Sequence, residues 1–168
     1  CSYSGDGLAQ LLLAGVNRLD FDGGLPSRLI VHGKNTFPVL VDDQHRVTIA
    51  GAYVGQGRVL VVGHEGPLKH RLTSGTGFAG LWQNAASWLT GQSAGQTSGV
   101  IGLLPGFSGL ATDLAASGWT TRSLTTDTLT TAGLADLDLL VIEAYDALPT
   151  ASLTAIHTWL ENGGALLT

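Results

Sequence analysis

Residues 58–63 read Arg58-Val59-Leu60-Val61-Val62-Gly63, and the fold turns on them. Four aliphatic residues in succession leave no polar alternation for a solvent-facing side, so the run predicts a strand covered on both faces. Such a strand belongs in the middle of a sheet and can join the chain before it to a larger sheet after it. Upstream lie three more extended runs, 28–32, 37–42 and 47–53. The four runs are separated by Gly33-Lys-Asn35, Asp43-Gln-His45 and Gly55-Gln-Gly57. Links this short allow only antiparallel neighbours, because a parallel crossover needs a dozen or more residues. Residues 27–63 therefore predict a β-meander of four runs. Before it, 8–16 is a short helical pattern with Asp6 placed to cap its start, and Phe21-Asp-Gly-Gly-Leu-Pro26 gathers turn residues into a loop.

Downstream, 78–89 carries apolar residues at 78, 81, 82, 85, 88 and 89, the spacing of an amphipathic helix, with Trp82 and Trp88 expected in the core. Residues 90–98 form a polar, glycine-rich linker. From Gly99 the rhythm alternates: strand 100–104, helix 108–117 ending at Gly118, strand 119–124, strand 137–142, helix 150–161, strand 165–168. Pro149 precedes the last helix and Gly163 follows it, as start and stop signals do. Alternation of this kind predicts a right-handed parallel α/β unit. The expected fold class is α/β: an N-terminal antiparallel β-meander (1–98) joined to a parallel-sheet α/β unit (99–168), the two packed as one domain.

With 168 residues the chain can bury a sizeable core, and 12% charged residues argue for a compact chain over a disordered one. Apolar runs of four to six residues fall far short of the ~18 needed to cross a bilayer, so no transmembrane segment is expected. A net charge of −5 with only Lys34 and Lys69 as lysines offers no basic stripe for phosphates, and nucleic acid is excluded as an expected partner. The single cysteine, Cys1, makes neither an internal disulfide nor a thiolate cluster. A terminal cysteine is how a mature bacterial lipoprotein begins, but no signal segment accompanies it, and the edge of an excised piece is the simpler reading.

Three stretches invite a chemical reading. His64-Glu-Gly-Pro-Leu68 opens like a zinc-protease helix motif but has Leu68 where the second histidine must stand, and Gly66-Pro67 is expected to spoil a helix. No metal and no cofactor are therefore expected. Gly106-Phe-Ser-Gly-Leu110 is placed like a nucleophile elbow, yet Leu110 replaces the closing glycine, so Ser108 reads as a helix N-cap. Asp42 and Asp43 are adjacent acids in a turn and point apart. The threonine-rich 120–131 reads as a solvated edge and loop. What remains follows from strand ends: Glu143, Tyr145 and Asp146 stand past one parallel strand, and His64 and Glu65 past another. Open parallel sheets bind ligands in that position. These five residues are the candidate ligand-binding groups, with capping of local loops as the plainer alternative.

From Leu11 to Thr168 the chain resembles the N-terminal part of the TRP-channel-associated factor family. The matching residues are Gly15-Val16, Pro26-Ser-Arg-Leu-Ile-Val-His-Gly33, Phe37-Pro-Val39, Gln56-Gly-Arg-Val-Leu-Val-Val-Gly-His-Glu65, Asn84-Ala-Ala-Ser-Trp-Leu89, Ala144-Tyr-Asp146 and Asn162-Gly-Gly-Ala-Leu-Leu167. The resemblance implies a parent protein with an enhancin-like metallopeptidase domain further along. Secreted bacterial mucin-degrading metallopeptidases are similar in the same region. It also implies a second half like the class I glutamine amidotransferase fold, which is flavodoxin-like. In that fold a cysteine elbow follows a strand matching 165–168, and here the sequence stops at that strand.

The expected role is a non-catalytic interaction or positioning domain whose partner, by the resemblance, is a TRP-type channel at the cytoplasmic face of the plasma membrane. The alternatives are the glycoprotein-recognising region of a secreted or lipid-anchored zinc mucinase, and an amidotransferase-like hydrolase completed by residues beyond Thr168.

Overall fold

A computed structural model gives the structure and describes residues 6–17, 19, 27–69, 77–93, 96–143 and 147–168. The proposed loop 21–26 lies outside the described residues, as does Cys1. Seven strands form one sheet: β1 (Thr36–Val41), β2 (Val47–Val54), β3 (Gly57–Val62), β4 (Val100–Leu103), β5 (Thr120–Ser123), β6 (Leu139–Val141) and β7 (Ala165–Leu167). Their spatial order is β1-β2-β3-β7-β6-β4-β5. β1 to β3 are antiparallel neighbours, and every pairing from β3 onward is parallel.

The meander forms because two short links close it. Asp42 and Arg46 bracket the first turn, and the second is the two-residue loop Gly55-Gln56, with Val54 paired to Gly57 and Gly55 at φ 58°. β3 is the joint that its apolar run predicts, with Arg58, Val59 and Leu60 in register with Ala165, Leu166 and Leu167 of β7. The bonding continues one step past the strands, through Val62 N–H to the Thr168 carbonyl at 2.7 Å.

Helices cover both faces. On one side α1 (Asp6–Leu12), α3 (Phe78–Leu89) and α4 (Ser108–Ala116) pack over Leu60, Ile101, Leu139, Val141 and Leu167. On the other, α5 (Thr131–Leu134) and α6 (Thr150–Glu161) pack over Val59 and Leu140, with Ile156 and Leu160 of α6 buried one turn apart. The period-two pleat explains why Leu139 and Val141 serve one core and Leu140 the other. Trp82 and Trp88 both lie in the first core, as α3's spacing predicts. Asn84 of α3 reaches across to donate to the carbonyls of Leu12 and Ala14, tying down the end of α1.

Four local readings need correction. Residues 28–32 are not a strand: Leu29 makes one isolated bridge to Val47, and Ile30 is 85% exposed. Ser27 N–H instead bonds the Gly63 carbonyl at 2.6 Å, so the segment lies across the end of β3. α1 runs from Asp6 to Leu12, so Asp6 is inside the helix and Val16 beyond it. Gly15, at φ 71°, turns the chain there. Ser108 is the first residue of α4, Phe107 is the N-cap, and no side chain caps the end. Gly66 and Pro67 do not prevent a helix: α2 (Gly66–Lys69) is a single turn with proline in its first turn, where a missing N–H costs nothing.

Among the parallel strands, β4 leads to β5 on one side and, through β5, to β6 on the other. The order β5-β4-β6-β7 is the flavodoxin-like 2-1-3-4, with β3 in the next position. The switch between β4 and β6 opens a crevice at their carboxyl ends, and β3 and β7 end on the same side.

Candidate functional site

Each strand end contributes one wall. β3 runs into Gly63, His64 and Glu65, β6 into Ile142 and Glu143, and β7 into Thr168, while the loop after β4 supplies Phe107. Ser27 and Leu29 close the remaining side, held there by the Ser27–Gly63 bond. Gly63 is needed at this crossing, since a methyl group on it would fall inside contact distance of the Ser27 carbonyl. Together these residues line an open-sided recess of about 190 Å³.

The floor is apolar, with Leu68, Phe107 and Ile142 buried. The rim is polar and ordered by α2. Gly66 N–H donates to His64 Nδ1 at 2.9 Å, which puts the proton of the neutral ring on Nε2. The Glu65 carbonyl accepts from the N–H groups of Leu68 and Lys69, both at 2.9 Å, closing the helical turn. That turn aims the Lys69 ammonium at Glu143, with Nζ to Oε1 at 2.5 Å. Trp82 Nε1 donates to the Pro67 carbonyl at 3.0 Å and pins α2 to α3. His64 thus uses its acceptor nitrogen within its own turn, and Glu143 has its charge matched by Lys69. Both groups hold the rim in shape around an apolar recess, an arrangement suited to recognition by fit.

Of the five candidate residues, three line this one cavity: His64, Glu65 and Glu143. Tyr145 and Asp146 lie outside the described residues. Lys69, Leu29 and Phe107 belong to the site but were not among the candidates. A signal for Lys69 existed, since it stands one helical turn after Glu65 and is one of only two lysines. Its pairing with Glu143, 74 positions away, has no local signature. Among the described residues no three or more His, Cys, Asp or Glu gather as a metal-ligand group, and no described helix is long and apolar enough to cross a membrane. Asp42 and Asp43 lie away from the cavity, in the β1–β2 turn.

Residues 5–168 match the family described as "TRPM8, N-terminal domain". A TRPM8 channel-associated factor homolog of Danio rerio is 34% identical over 159 residues, 94% of this chain and 15% of its own length. TRPM8 channel-associated factor 3 of Rattus norvegicus is 30% identical over 157 residues, 90% of this chain and 16% of its own length. The chain thus spans about one sixth of the length of these relatives. Among solved structures, IMPa from Pseudomonas aeruginosa in complex with an O-glycopeptide superposes with a TM-score of 0.71 at 20% identity. The match covers 95% of this chain and 19% of that one. The IMPa metallopeptidase in complex with T-antigen gives 0.70 at 23% identity, with the same two coverages of 95% and 19%. At such identities the likeness is one of fold.

Proposed function

The chain belongs to the TRPM8 N-terminal domain family, as its motifs led us to expect, and from that premise we propose that it is a non-catalytic protein-interaction and positioning domain of a larger channel-associated-factor-like protein. The observation that carries the reading is the cavity where β3, β6 and β7 end. Its floor is apolar, and its polar rim groups, His64 and Glu143, are engaged in holding the rim. Such a recess binds by shape and desolvation. Its candidate contact residues are His64, Glu65 and Glu143, with Tyr145 and Asp146 on the adjoining segment. The partner class is taken from the relatives' names, which describe them as associated with the TRPM8 channel. The test is co-purification of a TRPM8-type channel with the protein that carries this chain, with and without residues 5–168. Loss of the channel on deletion supports the reading; undiminished recovery overturns it.

A second reading is favoured by the fold match to a metallopeptidase holding an O-glycopeptide. In it the domain helps a peptidase-like parent recognise glycoprotein. Titration with an O-glycosylated peptide and its unglycosylated form separates the two. Binding that requires the glycan favours this reading over the channel.

A further inference from the structure

The two edges of the sheet are built differently. The β1 edge is guarded: Pro38 stands inside the strand, and its register with β2 slips between Pro38 and Leu40 and again between Leu40 and Val41. Proline and bulges hinder the addition of another strand. β5, at the other edge, reads Thr120-Thr-Arg-Ser123 and keeps four unbroken pairs with β4, without proline, glycine or bulge. Thr120 N–H bonds the Gly99 carbonyl and Leu124 N–H the Leu103 carbonyl, so the even-numbered residues serve β4. By alternation the N–H and C=O groups of Thr121 and Ser123 face away from the sheet. Arg122, the strand's one charge, is drawn onto α5, where its Nη2 donates to the Gly133 carbonyl at 3.1 Å. Thr120 and Ser123 are exposed. Among the described residues, the buried side-chain nitrogens left without a partner are Trp119 Nε1 and Arg122 Nε, both at this edge.

We propose that β5 is a strand-addition site whose occupant is an extended partner segment carrying lysine or arginine. Main-chain bonds to Thr121 and Ser123 supply the attachment. The charge preference follows from the surroundings, since residues 99–142 hold Asp113, Asp127, Asp136 and Asp138 against Arg122 alone. Asp127 is exposed in the turn that follows β5. Asp138 stands near the strand's other end, where its carboxylate accepts the Val100 N–H at 2.7 Å and Val100 is in register with Thr120. Neither aspartate is in an ion pair among the described residues. A second copy would set this acidic surface against itself, so charge favours a basic partner over self-pairing. β-Branched side chains on the added strand would match the threonines beside it. The site lies beyond β4 from the strand ends that form the recess, and it goes beyond the reading above without depending on it.

The probe is a set of heptapeptides with lysine at both ends and valine, isoleucine or threonine between, titrated onto the protein that carries this chain. Fluorescence anisotropy reads binding, and hydrogen exchange of peptic fragments spanning β5 reads its place. Binding is expected, with exchange at Thr121 and Ser123 slowed at least tenfold. The same peptides with every backbone nitrogen methylated should not bind, and glutamate at both ends should weaken binding at least tenfold. Thr121→Pro removes an outward N–H while sparing the ladder to β4, and should weaken binding at least tenfold. Ser123→Pro replaces it if native circular dichroism is lost. No binding, binding that survives methylation, or binding that leaves exchange in β5 unchanged would overturn the site. Slow exchange in β5 before any peptide is added would assign the edge to another part of the parent protein and overturn it too. So would a dimer that Thr121→Pro abolishes, which would assign the edge to a second copy. Deletion of residues 5–168 decides the channel reading separately, so either can fail alone.

Discussion

Asp42 shows how much one side chain organises at the first turn of the meander. Its Oδ1 accepts the N–H groups of Gln44 and Arg46, both at 2.9 Å, and its Oδ2 accepts Arg46 Nε at 2.7 Å. The bond from the Arg46 amide, with the guanidinium and the Gln44 amide adding to it, holds this half-buried carboxyl below the usual aspartate range. A carboxyl depressed in the folded state stabilises the fold above its ordinary value of ~3.9 and ceases to do so as pH falls through the folded value. Asp42→Asn should therefore flatten the acid limb of the stability curve below about pH 4, read by circular dichroism. Next to it His45 adopts φ 61°, a left-handed conformation that glycine enters without strain. His45→Gly should stabilise the protein by about 1 kcal/mol, seen as a higher denaturant midpoint at unchanged slope. At this scale the position of His64, Glu65 and Glu143 past strand ends was legible, because a strand's carboxyl end is visible in one dimension, and the structure puts all three on one recess. It did not mark Leu29 or Phe107 as their neighbours, because nothing local to either residue says what faces it.

Elements were legible in proportion to their periodicity. α3 and α6 appear with the bounds their spacing predicts, and β2, β3, β4, β6 and β7 lie within a residue or two of the expected runs. The failures are where tertiary contact outweighs local pattern. Residues 28–32 look like a strand, yet Ser27 and Leu29 are held across strand ends instead of along one. Pro67 is compatible with a helix of one turn because its carbonyl is anchored by Trp82 from outside. The β2–β3 hairpin is the clearest case of an element fitted to another. Gln56 N–H bonds the Glu161 carbonyl at 3.1 Å, and a methyl group on Gly55 would sit 2.6 Å from the Glu161 backbone. On Gly57 it would crowd the carbonyl oxygens of Leu160 and Gly164. Gly57→Ala should thus prise the hairpin from the end of α6 and cost about 1–3 kcal/mol, the usual range for overpacking, measured by urea unfolding.

For the whole molecule, the pairing of β3 with β7 makes the meander and the parallel unit one sheet, and Leu60, fully buried, sits at that seam. If the two parts fold as one domain, Leu60→Ala should cost about 2–5 kcal/mol. Fluorescence from Trp88 in one core and Trp159 beside the other, each kept as the only tryptophan in turn, should then report coincident transitions. Separate midpoints would show two folding units. The amino-acid sequence alone determined the class of the fold, the kind of each long element and the family. Those follow from periodicity, link length and motif order, which are properties of neighbours along the chain. Only the tertiary structure decided that β7 inserts beside β3, that residues 27–29 seal the strand ends, and that Lys69 meets Glu143 over an apolar recess. Strand order and side-chain contact depend on which buried surfaces fit together in space, and residues far apart in the chain carry no local record of that fit.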